Sequence, residues 1–162
     1  MIIIPGRAPQ EARPRTDTFA GTVWTDPVLP TTDGVTVNQV FFTPGSRTHW
    51  HRHEHGQILL VTAGGGRIQS RGGPVRPLRV GDTVWVPPGE IHWHGGGEDS
   101  FLVHLAISLG TTEWMEPVDA AQETPAATDT TDTTDTTAAA DDTETGATDP
   151  TPTPTPEGAQ TS

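Results

Sequence analysis

Seven histidines occur in this chain of 162 residues, and six of them fall in two short stretches, "RTHWHRHEHGQILLV" and "PPGEIHWHG". His51 and His53 stand two apart on a predicted strand over Thr48–His53. Side chains at i and i+2 of a strand share a face, so two imidazoles can meet one metal ion. Gln57 follows a turn at Gly56 and opens the next predicted strand, so its amide oxygen can return to the same point. His92 and His94 repeat the two-residue spacing behind a Pro-Gly turn. A pair from one strand, a third group across a turn and a fourth from a distant strand make a mixed nitrogen and oxygen site for one divalent ion. The alternative is a histidine cluster that serves packing alone.

Composition removes most competing chemistries. With no cysteine there are no disulfides, thiolate nucleophiles or zinc–thiolate sites. All nine cationic residues are arginines, which excludes Schiff-base lysine chemistry and a phosphate-binding loop built on lysine. Tyrosine is absent as a proton donor. A formal net charge of -12 argues against a nucleic-acid partner, because phosphate binding needs a basic face.

The elements that must position the histidines read as short strands between glycine and proline turns. They are Phe19–Thr25, Val35–Thr43, Thr48–His53, Gln57–Ala63, Arg67–Ser70, Thr83–Val86, Ile91–His94 and Phe101–Ser108, with only a short turn expected near Thr111–Met115. "PTTDG", "AGGG", "RGGP" and "HGGGED" read as breaks between them. Eight short strands of this kind predict an all-β sandwich or barrel over residues 16–118. Residues 1–15, with Arg7, Arg13 and Arg15 among prolines, predict an irregular arm.

Acidity belongs to the C-terminal end, where eleven of the 21 acidic residues lie from Glu116 onward. Beyond Val118 the only apolar side chains apart from proline are alanines, so residues 119–162 are expected to form a disordered acidic tail rich in Thr, Asp, Pro and Ala. No apolar run approaches the length of a signal peptide or a membrane span, and a cytoplasmic protein without a membrane partner is expected. A homodimer is expected as well, with the predicted strand Phe19–Thr25 available to cover a partner's sheet edge.

Two spaced patterns resemble a known family. Gly45-(x)5-His51-x-His53-(x)3-Gln57-(x)6-Gly64 resembles the first cupin motif, with Gln where many cupins carry Glu. Gly81-(x)5-Pro87-x-Gly89-(x)2-His92 resembles the start of the second motif, and the usual Asn after it is absent. The resemblance covers about residues 19–118 and implies a cupin jelly-roll β-barrel with metal ligands His51, His53, Gln57 and His92. The phrases "PGSRTHWH", "GDTVWVPPGEIHWHG" and "HLAI" further resemble small single-domain cupins associated with carboxymuconolactone decarboxylases, and the manganese-dependent cupin hydroxynitrile lyases of the (R)-mandelonitrile lyase type. By that resemblance His94 matches a histidine two positions past the last ligand, His104 a histidine on the final strand and Val40 a pocket valine, and His94 and His104 are the candidate catalytic residues. Asn38 replaces a pocket alanine, Ser108 a glutamine, and His49 a small residue, so the substrate pocket departs from the branch.

Three imidazoles and an amide are all neutral, and a divalent ion held by them keeps its full charge as a Lewis acid. The donor set suits Mn, Fe, Ni or Zn, and the resemblance favours Mn. His94 either moves a proton or braces a ligand by hydrogen bonding, and His104 either assists it or orients a small-molecule substrate. The expected activity is a lyase of cyanohydrin-lyase type. An iron dioxygenase, a sugar-acid isomerase and a metal- or ligand-binding module without turnover are the alternatives.

Overall fold

The structure is a computed structural model, and it describes residues 1–5, 11–119 and 121. The chain divides into Met1–Thr128 and Asp129–Ser162, and the second unit lies outside the described residues, as does the expectation of a disordered tail. Twelve strands form an antiparallel, nearly closed barrel, and no α-helix occurs among the described residues. They are β1 (Arg13–Arg15), β2 (Phe19–Ala20), β3 (Val23–Thr32), β4 (Val35–Phe42), β5 (Arg47–Thr48), β6 (His51–His53), β7 (Gln57–Ser70), β8 (Arg76–Arg79), β9 (Thr83–Val86), β10 (His92–Gly96), β11 (Leu102–Leu109) and β12 (Thr112–Trp114).

One face carries β1, β3, β4, β11 and β9, and the other carries β2, β5, β6, β8, β10 and β12. β7 belongs to both. Its first half pairs with β11 and β9 and its second half with β10 and β8. Between the halves lies Gly64-Gly65-Gly66, where Gly64 sits at φ 74° and a side chain would collide with the Phe101 carbonyl. The glycine run expected to end a strand therefore bends one instead, because a residue without Cβ follows the turn from one face to the other.

Other departures have similar causes. β3 continues through Pro27 and Pro30 to Thr32, and the connection to β4 is only Asp33 and Gly34, both at positive φ. Those prolines are tolerated because β1 pairs only with Val23–Thr25, leaving the outer edge of β3 without a described partner beyond that point. The arm predicted to be irregular ends in β1, while residues 6–10, including Arg7, lie outside the described residues. Thr112–Trp114, read as a turn, is a strand on β6, and Arg76–Arg79 adds a short edge strand on β7. The predicted strand Phe19–Thr25 is split: Phe19 and Ala20 pair on one side with β5, and Val23–Thr25 lie between β1 and β4.

Two buried clusters hold the barrel. Val23, Val40, Phe42, Leu59, Val61, Leu78, Leu102 and Ala106 form the larger one, and Trp50, Trp93 and Val118 form the smaller. Each of these side chains larger than alanine contributes about 1.5–3 kcal/mol when fully buried. The polar residues buried beside them are mainly histidines and their partners, which places the site inside the barrel.

Candidate metal centre

The two histidine stretches become neighbours by strand pairing. β6 lies antiparallel to β10 with His51 opposite His92. His51 and His53 are buried while Arg52 between them is exposed and bonds Glu113, so alternation along the strand turns both imidazoles inward. Gly56, at φ 93° with the Trp85 ring and the Val86 carbonyl where a Cβ would stand, makes the turn that returns the chain to Gln57. The Gly89 N–H donates to the His53 carbonyl at 2.9 Å, tying the turn before His92 to the first histidine strand.

Ring nitrogens of His51, His53 and His92 all lie within 4.8 Å of one another. The outer nitrogen of each ring is held. His51 Nδ1 lies 3.0 Å from the His49 carbonyl oxygen, and His92 Nδ1 lies 3.1 Å from that of Glu90. A carbonyl can only accept, so both Nδ1 atoms carry the proton and both Nε2 lone pairs are bare. His53 Nδ1 shares a 3.0 Å hydrogen bond with Thr112 Oγ1, and its buried Nε2 has no partner among the described residues. Burial pushes the His53 and His92 pKa values down to about 4, and burial followed by the nearby His92 holds His51 well below the ordinary imidazole value. All three rings are therefore neutral and able to ligate at neutral pH.

Gln57 completes the set. Its Nε2 donates to Ser108 Oγ at 3.1 Å, and its Oε1 stands 3.0 Å from His92 Nε2. With the His92 proton on Nδ1, both facing atoms are acceptors. A cation between them resolves that contact, and the partnerless His53 Nε2 calls for the same occupant. The donor set thus fits one divalent metal.

The cavity beside these residues has a volume of about 120 Å³, and its wall includes Asn38, Val40, Gln57, His94 and Ser108. His104 is fully buried and does not line it. It lies behind His94, with its Nε2 3.1 Å from His94 Nδ1. The remaining nitrogen of His94, Nε2, is buried without a partner among the described residues. Burial, then the neighbouring His104, depresses the His94 pKa well below the usual value, and burial takes His104 down to about 4. His49 is not on the cavity wall; its part in the site is the carbonyl that orients His51. Ser108 both lines the wall and aims Gln57.

Sequence reasoning missed several wall residues, Thr112 and Arg15 among them. Thr112 and Trp114 alternate with exposed Glu113 on β12, and the Trp114 ring lies 4.6 Å from that of His51. Three residues of alternation were too few to mark a strand there. Arg15 also lines the cavity, and nothing in its local sequence marks it as inward-facing.

Comparison with known proteins agrees with this architecture. The cupin domain model matches residues 38–107. A protein named (R)-mandelonitrile lyase from Granulicella tundricola is 45% identical over 108 residues, which span 63% of this chain and 82% of that protein. Among solved structures, a cupin-like protein from Thermotoga maritima is 43% identical with a TM-score of 0.64, covering 67% of this chain and 86% of its own. The polyketide cyclase RemF from Streptomyces resistomycificus shares the fold at a TM-score of 0.61 and 19% identity, covering 74% of this chain and 87% of its own. With a barrel of this topology, an inward three-histidine cluster suited to a divalent metal and relatives of this kind, the chain belongs to the cupin family.

Proposed function

We propose that this chain is a lyase that uses a divalent metal, manganese in the first place, to cleave the bond between a hydroxyl-bearing carbon and a leaving group such as cyanide. The observation that carries this reading is the joining of the His51, His53, His92 and Gln57 cluster to the His94–His104 pair beside one cavity. The identity with a protein named (R)-mandelonitrile lyase supports it. A metal bound by these four residues would supply Lewis acidity undiminished by any carboxylate ligand.

The chain's own residues account for the proton. His94 is neutral at working pH, and its Nε2 is the nitrogen left to face a substrate. It accepts the hydroxyl proton as the carbon–carbon bond breaks. The oxygen's electrons form the carbonyl, and the bond pair leaves with cyanide. His94 Nδ1–H is stabilised meanwhile by His104 Nε2 at 3.1 Å, and the proton then passes from Nε2 to cyanide, giving hydrogen cyanide and an aldehyde. Because the pair is buried, bulk water does not compete for that proton.

The test is the appearance of benzaldehyde absorbance from mandelonitrile with manganese-loaded protein. Wild type should release it, and His94→Ala should lower kcat by about 10²–10⁴ while keeping its metal. No release by the loaded wild type would overturn the reading.

A further inference from the structure

Among the described residues, one permanently charged side chain lines the cavity. Apart from its histidines, the wall residues are uncharged except for Arg15 among the described residues. No carboxylate lines it among the described residues. Arg15 closes β1 opposite Val23, and its guanidinium carbon lies 5.4 Å from the centre of the Phe19 ring. Phe19 in turn meets Trp114 at 5.5 Å, beside His51. The aromatic face thus holds the guanidinium against Phe19, and both residues line the cavity. Its ionic partner among the described residues is Asp17, 3.8 Å away through Nε, and the two side chains are 37% and 73% exposed. Solvent screens such a pair, so Asp17 leaves most of the positive charge available. A planar guanidinium binds a carboxylate through two parallel hydrogen bonds, and the Asn38 carboxamide on the same wall offers further donors.

We infer that the preferred substrate of this site carries a carboxylate beside its hydroxyl, taken at the Arg15 guanidinium, and that a neutral cyanohydrin such as mandelonitrile is turned over without being the preferred substrate. The hydroxyl part of this assignment rests on the lyase reading above. The carboxylate part rests on Arg15 and the absence of any acidic wall residue.

Calorimetric binding of mandelate against mandelamide, which differ in charge and hardly in shape, tests it on the full chain. The comparison is made with chelator-treated protein and again with manganese-loaded protein, because a metal attracts anions by itself. Chelator-treated wild type should bind mandelate at least about tenfold more tightly than mandelamide. That preference should shrink as salt rises from about 50 mM to about 500 mM. Arg15→Gln should abolish it without shifting the melting temperature, and Arg15→Lys should keep part of it. Equal binding of the two compounds by the wild type, no binding of mandelate, or an undiminished preference in Arg15→Gln would overturn the inference. If Arg15→Gln fails to fold, the salt series on the wild type and the Arg15→Lys comparison decide it. Mandelonitrile cleavage by the wild type is scored separately. Mandelate preference without cleavage keeps the carboxylate assignment and removes the lyase, and cleavage without preference does the reverse.

Discussion

Gln57 shows how much one side chain settles. A glutamate there would cancel half the charge of a divalent ion, whereas the amide leaves it whole. Its oxygen is aimed by the bond from its Nε2 to Ser108 Oγ at 3.1 Å. Ser108→Ala should therefore weaken metal affinity by about tenfold or more, measured by competition with a fluorescent chelator, although Ser108 would touch no metal itself. His51→Ala combined with His92→Ala should remove the metal altogether, read as loss of about one equivalent by elemental analysis with the β-rich circular dichroism retained. At this scale the two-residue histidine spacing was legible, since alternation alone turns His51 and His53 to one side. The role of His49 was not legible. Whether a residue works through its ring or its carbonyl depends on the tautomer its neighbour needs, and no spacing records that.

Among the elements, the decisive event is the meeting of β6 and β10. These strands are distant in sequence, yet His51 faces His92 across them. Glycine at Gly95 and Gly96 lets β10 lie close against its neighbours. A Cβ at Gly95 would strike the Ser46 carbonyl and the Arg47 side chain and backbone, and one at Gly96 would meet Ser100 O at 3.0 Å. Gly95→Ala should cost about 1–3 kcal/mol, seen as a lower urea midpoint with unchanged slope, and should disturb His94 next to it. Most strands could be read from alternation and turn residues. The glycine bend in β7 and the prolines of β3 could not, because both depend on which edge is paired and which is open.

For the barrel unit as a whole, buried imidazoles link stability to acidity. In an unfolded chain they titrate near 6.5, whereas in the folded protein His53, His92 and His104 are lowered to about 4. Between those values the unfolded state binds more protons, so stability rises with pH there. It is fully present above about pH 6.5 and is lost progressively as pH falls toward 4. Chelator-treated protein should show this as a falling melting temperature across that window. His104→Asn should flatten part of the fall by removing one of the buried rings. An unchanged melting temperature from pH 7 to pH 4 would contradict the burial of these groups in the neutral form.

Apart from the resemblance that implied a cupin, the residue types and their intervals were enough to determine an all-β sandwich or barrel, a nitrogen and oxygen donor set without sulfur, and the pairs His51/His53 and His92/His94. Each of these follows from local rules: strand alternation, turn residues, and what side chains the chain possesses. Tertiary structure alone decided that His104 stands behind His94 and that Ser108 holds Gln57. It also decided that Arg15, from a segment with no regular pattern, reaches the cavity. Those relations depend on strand order and register between distant segments. Register is set by what the whole barrel can bury, a sum over all strands that no single stretch of sequence contains.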